Sequence, residues 1–152
     1  MKAKSIDETV MALIKSHRRK ILVDSYAWVE LFLGSGQGGR VRGIIESADE
    51  AFTPDSVLAE LSRKYFRERV PERLVKERLS AMQGACHVLP ITPELAPSAS
   101  KAYLELAEEA RRRRLRSPSL FDGLVLGAAR LQEAKVVTGD PHFQGLPETI
   151  WI

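Results

Sequence analysis

Two rhythms of apolar and polar positions alternate along this 152-residue chain, one helical and one strand-like. Ile6, Val10, Leu13 and Ile14 recur on one face, and Ser5 with Glu8 makes a capping box, which predicts an amphipathic helix over residues 5–16. Ile21, Leu22 and Val23 form a compact apolar strand ending at Asp24. Helical spacing resumes over 25–33, and the glycine-rich patch 34–39 reads as a loop before a second helix from about 40 to 47. A short strand at 51–53 leads into a helix with Pro54 at its first position and Val57, Leu58, Leu61 and Tyr65 on its apolar face. A helix over 71–82 and a strand over 87–91 follow. Thr92, Pro93 and Glu94 then open a long helix, and a last strand falls at 149–152.

Residues 117–143 give the strongest pattern. Ser119 can cap a helix, with Asp122 three residues on completing a box-like start. Leu120, Phe121, Leu124, Val125, Leu126, Ala128, Ala129 and Leu131 make that helix apolar nearly all round, as in a buried element. Val136, Val137 and Thr138 form a short β-branched strand, stopped by Gly139, Asp140 and Pro141. Strands alternating with helices predict an α/β fold with a mostly parallel sheet covered by helices on both faces. In such a sheet, strand ends and following helix starts share one rim, where ligands bind. Asp24, Asp122 and Asp140 are expected at that rim. Glu60 falls at the edge of its helix's apolar face.

Composition narrows the class. The hydrophobic share of 44% and charged share of 28% are those of a globular domain. No apolar run reaches the roughly 18 residues of a membrane span. Cys86, alone of its kind, cannot form an internal disulfide and is expected to be a buried, inert thiol, which suits a reducing cytoplasm. The absence of Asn beside many Arg and Glu hints at a heat-adapted source.

The formal net charge is +3, and its distribution matters more than its sum. Arg111, Arg112, Arg113, Arg114 and Arg116 form one basic block, and His17, Arg18, Arg19 and Lys20 another. Such blocks suit phosphate backbones, although a solvated helix end would also favour them. Each of the four acids has an ordinary use as well, as a cap, a turn residue or solvated surface. Gathered together they would repel, by about 4 kcal/mol for a pair ~4 Å apart at an effective dielectric of ~20. A cation or shifted pKa values must relieve this. Oxygen ligands favour a hard ion, Mg²⁺ or Mn²⁺, over zinc. His17, His87 and His142 lack ligand spacing, and His142 reads as a rim residue. Hard ions in a carboxylate nest with arginines nearby suit phosphodiester hydrolysis.

The stretches ILVDSYAWVELFLGS, TPDSVLAEL, SLFDGLVLGAAR and KVVTGDPHF, taken in order, resemble the motifs of PIN-domain nucleases, especially VapC-type toxins of toxin–antitoxin pairs. The resemblance covers roughly residues 20–152. It implies a three-layer α/β/α sandwich, Mg²⁺- or Mn²⁺-dependent endoribonuclease activity, frequent homodimers and inhibition by a small antitoxin. Asp24 matches the first acid, Glu60 the helical glutamate, Asp122 the third acid and Asp140 the fourth. By that match Asp24 and Asp122 share the central metal, Asp140 binds it directly or through water, and Glu60 holds a metal water or orients the attacking one. Ser25 and Thr138 would support the acids, and the block from Arg111 to Arg116 would contact the RNA backbone. Residues 1–19 form an extra N-terminal helix outside the family pattern, expected to pack against the body or a partner, or else to serve as an RNA-binding arm.

Other readings share some of these features. A non-catalytic RNA-binding module would keep the fold, but here all four acids are present. An RNA-processing enzyme of the same fold would carry the same motifs. A haloacid-type phosphatase would want an Asp two residues after Asp24, where Tyr26 stands.

Overall fold

A computed structural model describes residues 6–152. Its elements run α1 (Ile6–His17), β1 (Lys20–Val23), α2 (Ser25–Leu33), α3 (Gly36–Ser47), β2 (Glu50–Pro54), α4 (Asp55–Arg67) and α5 (Glu72–Ala85). Then come β3 (His87–Leu89), α6 (Leu95–Arg112), α7 (Leu120–Gln132), β4 (Lys135–Thr138), a 3₁₀ turn (Pro141–Phe143) and β5 (Thr149–Trp151). The strands form one sheet in the order β3-β2-β1-β4-β5, and every pairing is parallel. This is the expected three-layer α/β/α sandwich, with a fully parallel sheet.

Burial explains the strands. Ile21, Leu22, Val23, Val136 and Val137 are wholly inaccessible, as strands covered on both faces require. α7 lies over β1, β2 and β4 and packs along α6, while α2 packs against β4, α3 and α4. Trp28 and Phe143 are the bulkiest fully buried side chains. The Trp28 indole N–H donates to Thr53 Oγ1, which donates in turn to the Val23 carbonyl, so α2, β2 and β1 are tied at the sheet's carboxyl edge.

Several local expectations are corrected. The patch 34–39 is not a loop throughout: Gly34 ends α2 at φ 68°, and Ser35 caps α3 by accepting from the Gly38 N–H, so Gly36–Gly39 form its first turn. A local hydrogen bond there outweighs poor glycine propensity. Pro54 ends β2 and caps α4 rather than entering it. The long helix starts after Pro93, with Thr92 Oγ1 accepting from the Leu95 N–H. β3 spans only three residues. Cys86 caps the end of α5 and is half-buried rather than buried, and burial pushes its thiol up to about 11, which disfavours the reactive thiolate. α7 is not apolar all round in its environment, because Leu120 and Leu131 are exposed.

α1 forms as expected, but Val10, Met11, Leu13 and Ile14 are about half exposed, so its apolar face is not buried on the body. The cap foreseen at Ser5 lies outside the described residues. No helix among the described residues is long and apolar enough to cross a membrane.

Candidate active site

The strand order fixes where a cleft forms. From β1 the chain steps outward through β2 to β3, then crosses back to place β4 on the other side of β1. The gap beyond the carboxyl ends of β1 and β4 is therefore the sheet's switch point. Asp24 follows β1, Asp140 follows β4 one residue on, and Asp122 stands in the first turn of α7. Glu60, in the middle of α4, joins them from the side.

Each aspartate is held by a local cap. The Ser25 N–H donates to Asp24 Oδ1 at 2.7 Å, and the Thr138 hydroxyl donates to Asp24 Oδ2 at 2.8 Å. Thr138 Oγ1 also accepts from the Asp140 N–H at 3.0 Å, so one buried threonine joins the two strand-end acids. The Ser119 N–H donates to Asp122 Oδ2 at 2.7 Å while Asp122 N–H donates back to Ser119 Oγ, a complete capping box. The His142 N–H donates to Asp140 Oδ1 at 2.9 Å. Capping and clustering thus coincide. The caps fix the acids' orientation and leave Asp122 Oδ1 and Asp140 Oδ2 without a hydrogen bond among the described residues.

The four carboxylates also act on one another's ionisation. Asp24 is almost fully buried, and that burial, helped by the charges of Asp122 and Glu60, pushes its pKa up to about 7 against the hydrogen bonds from Thr138 and Ser25. Glu60 is raised by burial and then by Asp122, with Asp140 adding to it. Asp122 is raised by burial and, despite the Ser119 bonds, by Asp140. Four acids from distant stretches act on one another, and only a cation lets them ionise together without this penalty. An all-oxygen set of this kind fits a hard divalent ion.

His142 takes a larger part than its sequence context suggested. One ligand atom each from Asp122, Asp140 and His142 lie within 4.8 Å of one another. Both ring nitrogens are already engaged, however, Nδ1 with Asp140 Oδ1 at 2.7 Å and Nε2 with the Arg116 carbonyl at 2.7 Å. A carbonyl only accepts, so Nε2 carries a proton. Burial works against the charged ring, but the bonds to Arg116 and Asp140 outweigh it and raise its pKa. His142 is thus a clamp on Asp140 more than a free ligand.

The arginine block divides in two. Arg113 donates to the carbonyls of Pro141 and Gln144, pinning the turn that carries Asp140, and Arg112 pairs with Glu109. Arg111, Arg114 and Arg116 have exposed side chains with no ion pair among the described residues. A cleft of about 430 Å³ opens beside the acids, lined by Ser25, Tyr26, Glu60, Arg63, Arg67 and Asp140 among others. Arg63 and Arg67 were not foreseen, although they lie three and seven residues beyond Glu60 on one helical face.

The chain resembles known proteins in family and in fold. Residues 21–148 match the family model of the PIN domain. A search of curated proteins by sequence gives no match. Among solved structures the chain is similar to VapC20 of Mycobacterium tuberculosis, described as a toxin cleaving the sarcin–ricin loop, at 20% identity and a TM-score of 0.64 over 84% of this chain and 95% of that one. It is similar to VapBC2 of Rickettsia felis, bound to a DNA fragment from its promoter, at 15% identity and 0.62 over 88% and 97%. A toxin–antitoxin complex from Klebsiella pneumoniae matches at 17% and 0.59 over 86% and 95%.

Proposed function

The chain belongs to the PIN domain family, and from that premise we propose that it is a metal-dependent endoribonuclease, the toxin of a toxin–antitoxin pair. The observation that carries this reading is the meeting of Asp24, Glu60, Asp122 and Asp140 at the switch point, with burial and mutual repulsion raising three of them. Asp24, Asp122 and Asp140 would hold Mg²⁺ or Mn²⁺. When bound, such an ion activates water, orients the phosphate and stabilises the leaving oxygen.

The chain's own residues do the rest. Thr138 and Ser25 hold Asp24 in place and favour its ionised form, which is the form a cation needs. Ser119 fixes Asp122, and His142 with Arg113 fixes the turn bearing Asp140. Glu60, which also lines the open cleft, would hold a water of the bound ion or orient the attacking one. Arg111, Arg114 and Arg116 offer charge to the RNA backbone, with Arg112 and Arg113 serving mainly to shape that surface.

The similar complexes from Klebsiella pneumoniae and Rickettsia felis support a small antitoxin as partner. A homodimer in the cytoplasm completes the proposal, with residues 20–152 as the nuclease domain and 1–19 as an appended helix. Incubation with total RNA tests it. Cleavage is expected only with Mg²⁺ or Mn²⁺, and is expected to vanish in Asp24→Asn and Asp122→Asn, whose circular dichroism stays native. Cleavage surviving in both variants, or RNA binding without cleavage in any divalent ion, would contradict it.

A further inference from the structure

The cleft beside the acids contains a feature that metal chemistry does not require. Tyr26 is exposed over about a third of its surface, its ring resting against Gly139 just past the end of β4. A Cβ placed on Gly139 would lie 2.5 Å from Tyr26 Cε1, so this position must be glycine for the ring to sit there. Its hydroxyl makes no hydrogen bond among the described residues, which leaves the ring as the functional part. Across the cleft, Arg63 and Arg67 present exposed guanidinium groups with no ion pair among the described residues, whereas Lys64 between them is tied to Glu68.

An aromatic face flanked by cations that make no direct ion pair among the described residues, with Arg63 close enough to lower the pKa of Glu60, matches what an unpaired nucleotide presents. A base offers a π-face, and its phosphates offer charge. A paired base would have its faces covered by neighbours in the stack. Val29, partly exposed, adds aliphatic surface to the cleft lining.

Resting on the ribonuclease reading above, we propose that this cleft is a nucleotide subsite in which an unpaired RNA base stacks on Tyr26 and the flanking phosphates meet Arg63 and Arg67. Gly139 serves as the seat of the ring, giving the T-G-D stretch a role in base recognition as well as in metal binding.

The test uses the full chain in EDTA, so that binding is read without turnover. A single-stranded oligoribonucleotide carrying one 2-aminopurine reports stacking by loss of fluorescence, and a duplex of the same sequence serves as the comparison. Wild-type protein is expected to quench the single strand and to bind it more tightly than the duplex. Tyr26→Ala is expected to weaken binding about fivefold or more and to abolish the quench, while Tyr26→Phe retains both. The Arg63→Ala/Arg67→Ala variant is expected to lower the slope of log affinity against log salt by about 1.4. Wild-type binding that Tyr26→Ala leaves unchanged overturns the subsite and spares the ribonuclease reading. Failure of the wild type to bind any RNA in EDTA also overturns the subsite, while the ribonuclease reading stands or falls on the Mg²⁺- or Mn²⁺-dependent cleavage of total RNA.

Discussion

Asp24 carries the largest conflict between folding and charge in this molecule. Its pKa of about 7 in the folded chain lies well above the ordinary 3.8, chiefly because burial disfavours the carboxylate. Between about pH 4 and pH 7 the folded protein therefore keeps a proton that the unfolded chain releases. The resulting stability is complete below the unfolded pKa and is lost as pH rises through the folded one. Glu60, Asp122 and His142, all raised, act in the same sense. In EDTA, the melting temperature is expected to fall from pH 5 to pH 8, and to fall less in Asp24→Asn, which has no carboxylate to bury. Added Mg²⁺ should stabilise the wild type more at pH 8 than at pH 5, because the cation needs the ionised acids. Equal pH slopes for the two proteins in thermal melts would show that Asp24 does not titrate in this way. The four acids were legible in the sequence because strand ends and helix starts mark a rim. The engagement of His142 was not, since its partner, the Arg116 carbonyl, is set by the path of the chain after α6.

Most element boundaries could be read from spacing, and α2 was recovered over its full span of nine residues. The errors cluster where side chains, not propensity, decide. Ser35 turned a glycine run into a helix start, and Pro54 and Thr92 shifted two helix starts downstream. The glycines of α7 were also missed as packing devices. A Cβ on Gly127 would lie 2.7 Å from the Ala99 backbone nitrogen, and one on Gly123 would lie 2.6 Å from the Ala99 carbonyl oxygen. Spaced four residues apart on one face, they let α6 and α7 approach closely and set the height at which α7 presents Asp122. Gly127→Ala is expected to cost about 1–3 kcal/mol in urea unfolding, because backbone rather than a movable side chain must yield. An unchanged midpoint would mean that the two helices are not in such tight contact. A second device lies at the helix ends. Arg114, at φ 57°, follows α6 in a left-handed position, with Leu115 N–H bonded back to the Ala110 carbonyl. Arg114→Gly should stabilise the fold by about 1 kcal/mol in the same assay, since only a side chain is strained there. Destabilisation would assign Arg114 a structural contact.

For the molecule as a whole, a parallel sheet with β1 at its centre brings acids from positions 24, 60, 122 and 140 to one mouth. Helix packing around that sheet leaves the mouth open beside α2 and α4, where Tyr26, Arg63 and Arg67 stand. A sequence reading finds the acids by their place in the fold. The arginines of α4 escaped it because an exposed arginine on a helix looks like any solvated side chain until the cleft is seen. α1 keeps a half-exposed apolar face, and none of its described residues lines this cleft. On the proposed function, the gathered acids hold a hard divalent cation. Anomalous diffraction from crystals grown with Mn²⁺ tests it most directly. An anomalous peak is expected among the carboxylates of Asp24, Asp122 and Asp140, absent in Asp122→Asn crystals. Full Mn²⁺ occupancy elsewhere, with no peak among these carboxylates, would contradict it.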